Sequence, residues 1–441
     1  MKIQNVLKLS AAGLALAGCR IGDGAQYTVG GIVTGVAGAG LVLEDNSGSD
    51  LAVGLNGGFV FGNRLGNGDV YSVTVKSQPA NPAQTCTVRS GSGTIDKADV
   101  TNVLVSCTQT GRFAYVANRQ SNNLSAYAID SANGGLLPIA GSPFASTGTT
   151  PTAVAVDPNG DFLYVANDAS NNVSVYSVDT SSGALTAVGF PANAGTSPGA
   201  LAVDPRDQYL YVANLSSNDV SAYTIVNGVL SEIPGSPFAV GAEPAALQFD
   251  PNGNFLYVAN FNGATMAVFA LDQATGALST VSGSPFVTGS GPISIAIDPT
   301  NTFAFVANEA AATLSEFALN PETGALAPVA GSPIAVTTGP EFLAIDPQGR
   351  YLYAANVTSA NQVASFSITP ASGSLMPLST AAAGALPISL TVDPSGAFVY
   401  AANYNSNDIS AYMVDEATGA LIPVPGSPFA AGTQPHSIAI D

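Results

Sequence analysis

The sequence predicts an all-β protein in which a seven-bladed β-propeller follows a small β-sandwich domain. Three observations predict it: a strand-like run ending in Asn recurs seven times, each repeat holds four such runs, and a different strand pattern precedes the first repeat. The repeats lie 46 to 49 residues apart, a period typical of propeller blades or solenoid turns. The recurring residues are Asn118, Asn167, Asn214, Asn260, Asn308, Asn356 and Asn403.

One repeat contains four runs rich in Val, Ala and Tyr, each bounded by Gly, Pro, Asn or Asp. In the second repeat these runs are residues 151–157, 162–167, 172–179 and 182–188. Period-two alternation in short runs predicts strands, and four strands per unit predict a propeller blade. We call the strands A, B, C and D.

The two ends of the repeat region, residues 109–441, are complementary. The first B pattern, residues 112–118, has no A pattern directly before it, and the last A pattern, residues 435–441, has no B pattern after it. We therefore predict that the last strand pairs with the first, which completes seven blades and removes open sheet edges.

Two aromatic positions recur once in every repeat, which favours core packing between blades over a ligand site. The first set is Tyr115, Tyr164, Tyr211, Tyr257, Phe305, Tyr353 and Tyr400, and the second is Tyr127, Tyr176, Tyr223, Phe269, Phe317, Phe366 and Tyr412.

Each A pattern ends in Asp. A ring of carboxylates is a candidate Ca²⁺ site, but six of the seven precede Pro in a turn, where Asp caps its own backbone, and we favour that structural role. The sequence has no zinc, haem or nucleotide motif, so we expect neither a metal nor another cofactor. The residues are Asp157, Asp204, Asp250, Asp298, Asp346, Asp393 and Asp441.

The segment before the propeller, residues 27–108, predicts a β-sandwich. Short strand-like runs alternate with Gly- and Asn-rich turns, which is typical of such a module. The segment resembles immunoglobulin-like or transthyretin-like modules of bacterial surface proteins, which implies a spacer or a ligand-binding role. The runs are residues 27–33, 41–43, 51–53, 59–61, 70–75, 86–88 and 100–105.

Residues 1–18 predict a secretion signal, with a basic start and an apolar run too short to span a bilayer. The four residues ending at Cys19 resemble the bacterial lipobox, which implies cleavage before Cys19 and its acylation, with residues 19–26 as a tether. An ordinary signal peptide with a coincidental Cys is the alternative. Arg20, in place of the Asp that retains lipoproteins at the inner membrane, implies an outer-membrane location.

Net charge limits the classes of binding partner, and the cysteine content predicts a disulfide. Without residues 1–18, nine basic and 30 acidic residues remain, a net charge of −21, which argues against nucleic acid. No later segment reads as a membrane span. We expect a monomeric body held to the bilayer by lipid alone. Cys86 and Cys107 are an even pair in an exported chain and predict a disulfide, with two free thiols as the alternative.

The repeat motifs resemble the seven-bladed lactonase family and its relatives with Tyr-Val-Thr-Asn repeats, over about three quarters of the chain. The shared motifs are the Asp-Pro-x-Gly turns, the Tyr-Val-Ala-Asn strand ends, Thr-Gly-Ala-Leu at 275–278 and Gly-Ser-Pro-Phe from 141, 235, 283 and 426. The resemblance implies a propeller fold. It also implies one of two functions, a lactone hydrolase such as a 6-phosphogluconolactonase or a surface protein.

In the enzymes a Pro-His pair opens an inner strand, as Pro435-His436 does here, whereas Arg119 stands where the enzymes have an acidic loop. We expect the B-to-C and D-to-A connections to gather at one end, with Glu341 two blades from His436. His436 is then a candidate general base, Arg119 an oxyanion donor and Glu341 an orienting group. The alternative, which we favour, is that His436 is a hydrogen-bonded rim residue.

We predict a lipid-anchored cell-envelope propeller that binds a protein, peptide or envelope glycan. The alternative is a hydrolase of a non-phosphorylated lactone. A phosphorylated substrate is disfavoured because phosphate sites use clustered cations. After residue 111 the basic residues are Arg112, Arg119, Arg206 and Arg350.

Overall fold

The computed structural model describes residues 25–36, 40–46, 48–79, 84–109, 113–336, 339–356 and 361–441. Their regular structure is entirely β, and the chain divides into a first unit up to Cys107 and a second from Thr108 onward. Among the described residues there is no helix long and apolar enough to serve as a membrane span. The predicted signal peptide and Cys19 lie outside the described residues.

The first unit has two four-stranded sheets that share one apolar core. One sheet has the order β4-β1-β8-β6 and the other β3-β2-β5-β7. Its eight strands include one, β7, that the sequence did not predict. The resemblance to known surface modules stays a prediction. The strands are β1 (Gln26–Thr34), β2 (Leu41–Asp45), β3 (Ser49–Val53), β4 (Gly57–Gly66), β5 (Val70–Ser77), β6 (Gln84–Arg89), β7 (Ser92–Thr94) and β8 (Val100–Gln109).

A disulfide joins β6 to β8 in this unit. Cys86 and Cys107 are both buried and their sulfurs are bonded, so the predicted pairing is confirmed. The bond links the outer strand of one sheet to its neighbour.

The second unit contains seven antiparallel sheets, one for each repeat. Its A strands are Pro151–Val156, Pro198–Val203, Pro244–Phe249, Pro292–Ile297, Pro340–Ile345, Pro387–Val392 and Pro435–Ile440. The B strands are Phe113–Asn118, Phe162–Asn167, Tyr209–Asn214, Phe255–Asn260, Phe303–Asn308, Tyr351–Asn356 and Phe398–Asn403. The C strands are Asn123–Ile129, Asn172–Val178, Asp219–Val226, Thr265–Leu271, Thr313–Leu319, Gln362–Ile368 and Asp408–Val414. Blades are numbered from the one that contains Phe113–Asn118.

The last strand of the chain pairs with the first strand of the repeat region, as predicted. Pro435–Ile440 is the A strand of blade 1 and runs antiparallel to Phe113–Asn118. The same strand also contacts the A strands of blades 2 and 7, so the inner strands follow one another around a ring.

The outermost strand differs from the prediction of one D strand per blade, because six blades divide it in two. A Gly-x-Pro turn lies between the two pieces, and both pair with the same C strand. Blade 6 lacks this turn and keeps one continuous strand, Leu375–Ala382. In the other blades the first pieces are Leu136–Pro138, Leu185–Ala187, Val229–Glu232, Leu278–Thr280, Leu326–Pro328 and Leu421–Pro423. The second pieces are Phe144–Ala145, Ala192–Asn193, Phe238–Ala239, Phe286–Val287, Ile334–Ala335 and Phe429–Ala430.

Both recurring aromatic sets are buried between blades, which confirms their core role. Tyr115 also donates a hydrogen bond to the Gly183 carbonyl of the next blade, at 3.1 Å. Gly183 has φ of +73°, and a Cβ there would lie 2.4 Å from the Phe113 ring, so both backbone and packing require glycine.

The Asp residues that follow the A strands cap the A-to-B turns. Oδ1 of Asp157 accepts the N–H of Phe162 at 2.9 Å, and Oδ1 of Asp441 accepts that of Phe113 at 2.7 Å across the ring closure. The corresponding Asp of every other blade makes the same bond. This capping confirms the structural role.

Candidate active site at the mouth of the ring

At one end of the ring the same backbone hydrogen bond recurs from blade to blade. It joins the B-to-C connection to the D-to-A connection. The residue after the B strand donates its N–H to the carbonyl of the residue before the A strand. Arg119 bonds in this way to Gln434 at 2.8 Å, and Asp168 to Thr150 at 2.9 Å. The B-to-C and D-to-A connections therefore meet at one end, as predicted. We call this end the mouth.

The second residues of the seven A strands line a single cavity of about 420 Å³ at the mouth. Arg119 and Asp168 line the same cavity. The three side chains predicted from the sequence, His436, Arg119 and Glu341, therefore all lie around this cavity. In blade order from blade 1 the second residues are His436, Thr152, Gly199, Ala245, Ile293, Glu341 and Ile388.

His436 is held in one tautomer by blade 2. Its Nδ1 lies 2.7 Å from the carbonyl oxygen of Thr152. Because a carbonyl can only accept, Nδ1 carries the proton and Nε2 keeps a free lone pair. Burial lowers the pKa of His436 to about 4; the charge of Arg119 acts in the same direction, and the bond to Thr152 and the charge of Asp168 act against it. The imidazole is therefore neutral at physiological pH and cannot carry a positive charge to a substrate.

Arg119 is fixed from two sides. Its Nη2 lies 3.0 Å from Oδ2 of Asp168, and its Nη1 donates a longer bond of 3.4 Å to the Tyr404 hydroxyl. The Tyr404 hydroxyl in turn donates to Oε1 of Gln434 at 2.8 Å, and its ring meets His436 edge-on at 5.9 Å. A guanidinium has five N–H donors, so donors remain for a ligand.

Glu341 has the opposite titration shift from His436. Burial raises its pKa to about 7, and the like charge of Glu309 on the neighbouring blade adds to the effect. Glu309 occupies the position after the B strand of blade 5, the same position that Arg119 occupies in blade 1. Glu341 can therefore both accept and release a proton near neutral pH.

Asp168, Tyr404 and Glu309 were not predicted from the sequence. All three directly follow a recurring Asn, as Arg119 does. Comparing that one repeat position across the blades would have placed them at the mouth. The ion pair between Arg119 and Asp168 joins two blades, and the spacing of the repeats in the sequence does not predict it.

The mouth carries one cation among the residues that the structure describes in the second unit. Arg206 and Arg350 lie in the A-to-B turns, where they pair with Asp204 and Asp346. Arg119 is thus the only described cation at the mouth, where Asp168, Glu341 and Glu309 supply acidic groups.

Several solved structures share this fold. A Bacteroides fragilis protein provisionally described as a 6-phosphogluconolactonase is 21% identical, with a TM-score of 0.68, over 75% of this chain and 98% of its own. A similar Bacteroides uniformis protein is 19% identical, with a TM-score of 0.68, over 76% and 100%. The periplasmic gluconolactonase of Pseudomonas aeruginosa is 20% identical, with a TM-score of 0.65, over 74% and 98%. At these identities the likeness shows the fold alone.

No curated protein matches the chain significantly. The sequence model described as "Lactonase, 7-bladed beta-propeller" matches residues 67–197, 192–337 and 332–436, well over half of the chain. The chain therefore belongs to the seven-bladed β-propeller lactonase family.

Proposed function

We propose that this protein is a hydrolase that opens a non-phosphorylated lactone at the mouth of the propeller. The observation that carries the proposal is the meeting of a neutral His436, a fixed Arg119 and a Glu341 of raised pKa in one cavity. Membership of the lactonase family favours this function over the interaction module that the sequence analysis placed first.

In the proposed reaction Glu341 takes a proton from a water molecule as the water oxygen adds to the lactone carbonyl carbon. Arg119 donates a hydrogen bond to the carbonyl oxygen as that oxygen gains negative charge. The ring C–O bond then breaks, and the proton held by Glu341 passes to the departing alkoxide. The product is a hydroxy acid, with one water consumed.

The roles differ from those that the family resemblance implies. A base works best when its pKa lies near the working pH, which favours Glu341 over His436 as the proton acceptor. The free Nε2 lone pair of His436 is suited to accept a hydrogen bond from the attacking water and orient it.

Charge supports a substrate without phosphate. Arg119 is already paired with Asp168, and the mouth also carries the carboxyl groups of Glu341 and Glu309. A phosphate ester would meet repulsion that a neutral lactone avoids. The relatives' descriptions do not decide this point, because the Pseudomonas aeruginosa protein is described as a gluconolactonase and the two Bacteroides proteins as 6-phosphogluconolactonases.

We also propose that the enzyme is lipid-anchored in the cell envelope, most simply at the outer membrane. The lipobox-like residues before Cys19 support the anchor. The disulfide between Cys86 and Cys107 supports an oxidising compartment outside the cytoplasm.

The test is hydrolysis of a panel of aliphatic and sugar lactones by the purified protein and by three variants. Glu341→Gln should lower kcat/KM by about 10²- to 10⁴-fold and Arg119→Gln by about 10²- to 10³-fold. His436→Asn should cause a smaller loss. The matched control is Glu322→Gln, an exposed carboxylate in a C-to-D turn. If the folded protein gives no turnover above the uncatalysed rate, the proposal fails and the interaction module returns to first place.

A further inference from the structure

The mouth has two unlike sectors. Charged side chains line the cavity from blades 1, 2 and 6, and apolar residues line it from blades 3 to 5, where the polar Ser197, Gln248 and Ser294 are also present. We call the second group the apolar sector and define it by Gly199, Leu215, Ala245 and Ile293.

Leu215 occupies the same repeat position as Arg119 and Asp168. Its N–H bonds the Ser197 carbonyl at 2.9 Å, the same contact that those two residues make in their own blades. The backbone geometry is therefore shared, and only the side chain changes from charged to alkyl.

Gly199 makes room for this leucine. A Cβ at Gly199 would lie 2.1 Å from Cδ1 of Leu215, so any larger residue would push the leucine away from the inner strand. The glycine thus lets Leu215 lie over the second position of its blade, where blade 1 carries His436.

Resting on the proposed hydrolase function, we propose that the substrate is a lactone with an alkyl substituent, whose ring meets Arg119, His436 and Glu341 while its chain lies on the apolar sector. A cavity of about 420 Å³ lies within the range for small-molecule sites. Each methylene that leaves water for this sector should raise affinity about three- to fourfold. A polyol lactone would gain less from this sector, because its carbons carry hydroxyl groups that favour water.

The experiment compares kcat/KM for γ-butyrolactone, γ-nonalactone and glucono-δ-lactone. We expect γ-nonalactone to exceed γ-butyrolactone by at least about 30-fold, because the pentyl chain is buried. Leu215→Asn and Ile293→Thr should each lower that preference by about tenfold. Ile422→Thr, on an exposed outer strand of blade 7, is the matched control and should leave that preference unchanged.

The outcomes separate the two proposals. Preferred turnover of glucono-δ-lactone that still depends on Glu341 would overturn the alkyl substrate and leave the hydrolase standing. If no lactone is hydrolysed, calorimetry measures whether the lactam analogue of γ-nonalactone binds, and this tests the alkyl ligand apart from the hydrolase. Binding that Leu215→Asn weakens and Ile422→Thr does not would keep the alkyl ligand and overturn the hydrolase. No binding would overturn both, provided that thermal unfolding shows folded variants.

Discussion

At the residue scale, the same burial moves two ionisable groups of the mouth in opposite directions. Burial disfavours charge, so it raises the pKa of Glu341 to about 7 and lowers that of His436 to about 4. Between these values His436 is already neutral while Glu341 is still protonated. Environments that push two pKa values apart assign different roles to neighbouring groups. We therefore infer that activity follows the ionisation of Glu341.

The first prediction concerns Glu309, whose like charge helps to raise the pKa of Glu341. If Glu341 must be ionised, kcat/KM rises with pH through a midpoint near 7. Glu309→Gln removes the neighbouring charge, lowers the pKa of Glu341 and should move this midpoint to lower pH by roughly half to one pH unit. A pH profile of kcat/KM, taken at lactone concentrations below KM, measures this midpoint.

Glu322→Gln serves as the control, because Glu322 is exposed in a turn and should leave the profile in place. A midpoint near pH 4 in the parent protein would contradict this assignment and point to His436 instead.

At the element scale, one position of the A-to-B turn carries an amide side chain in blade 5 and a carboxyl side chain in blade 3. In blade 5, Asn301 donates its side-chain N–H to Oδ2 of Asp250 in blade 4, at 2.9 Å. Asp207 holds the corresponding position in blade 3, with φ of 57° against 58° for Asn301, and faces Asp157 of blade 2. Oδ2 of Asp157 and Oδ1 of Asp207 are buried without a hydrogen-bond partner among the described residues.

The second prediction follows from this acid pair. Burial raises the pKa of Asp157 to about 7, and the charges of Asp207 and Asp161 add to it. Because the unfolded value is 3.8, only the folded state holds this proton between about pH 4 and 7, and stability falls as pH rises through that window. Asp207→Asn should restore the amide donor and stabilise the protein at pH 8 by about 1–2 kcal/mol, with little change near pH 5.

The reciprocal variant is Asn301→Asp, which should create the same acid pair and lower stability at pH 8. Urea unfolding at the two pH values measures both changes. Equal effects of Asp207→Asn at pH 5 and pH 8 would refute the raised pKa of Asp157 as the cause.

The elements differ in how far the sequence predicts them. The A, B and C strands follow from alternation and turn residues, and ring closure follows from the unpaired patterns at the two ends. The division of strand D does not, because Gly-Ser-Pro-Phe marks a turn without showing that the chain returns to the same C strand. At the mouth, repeat position places His436, Arg119 and Glu341. Their pKa values depend on distances between blades, which spacing does not encode.

At the scale of the whole molecule, the chain consists of two units with separate cores. The disulfide closes a stretch of 21 residues in the first unit only. In the loop-entropy model such a bridge stabilises its unit by about 3 kcal/mol.

The third prediction is that replacing both Cys86 and Cys107 with Ala lowers the stability of the first unit by about that amount and leaves the propeller unchanged. Hydrogen exchange read by mass spectrometry resolves the two units separately. Lactone hydrolysis should also stay unchanged, since the mouth lies wholly in the second unit. Loss of protection in the propeller strands would contradict independent stability.

The fourth prediction concerns attachment of the molecule to the membrane. The lipobox-like signal predicts that Cys19 carries the acyl anchor, so Cys19→Ser should move the protein from the membrane fraction to the soluble fraction. Fractionation with a fatty-acid label measures it, and Arg20→Ser is the neighbouring control. A labelled Cys19→Ser protein would rule out this anchor.

The last prediction tests ring closure. Pro435–Ile440 pairs with Phe113–Asn118 at five positions, and Asp441 caps the N–H of Phe113. Deleting residues 435–441 removes these bonds and leaves an open strand edge, which should cost about 5 kcal/mol and promote aggregation. Because strand addition supplies backbone pairing from a separate peptide, residues 435–441 added as a peptide should recover much of the thermal stability. A scrambled peptide should not. The full chain with His436→Asn should keep its unfolding temperature within a few degrees, which separates loss of the strand from loss of the imidazole. An unchanged unfolding temperature in the shortened chain would show that closure by this strand does not stabilise the propeller.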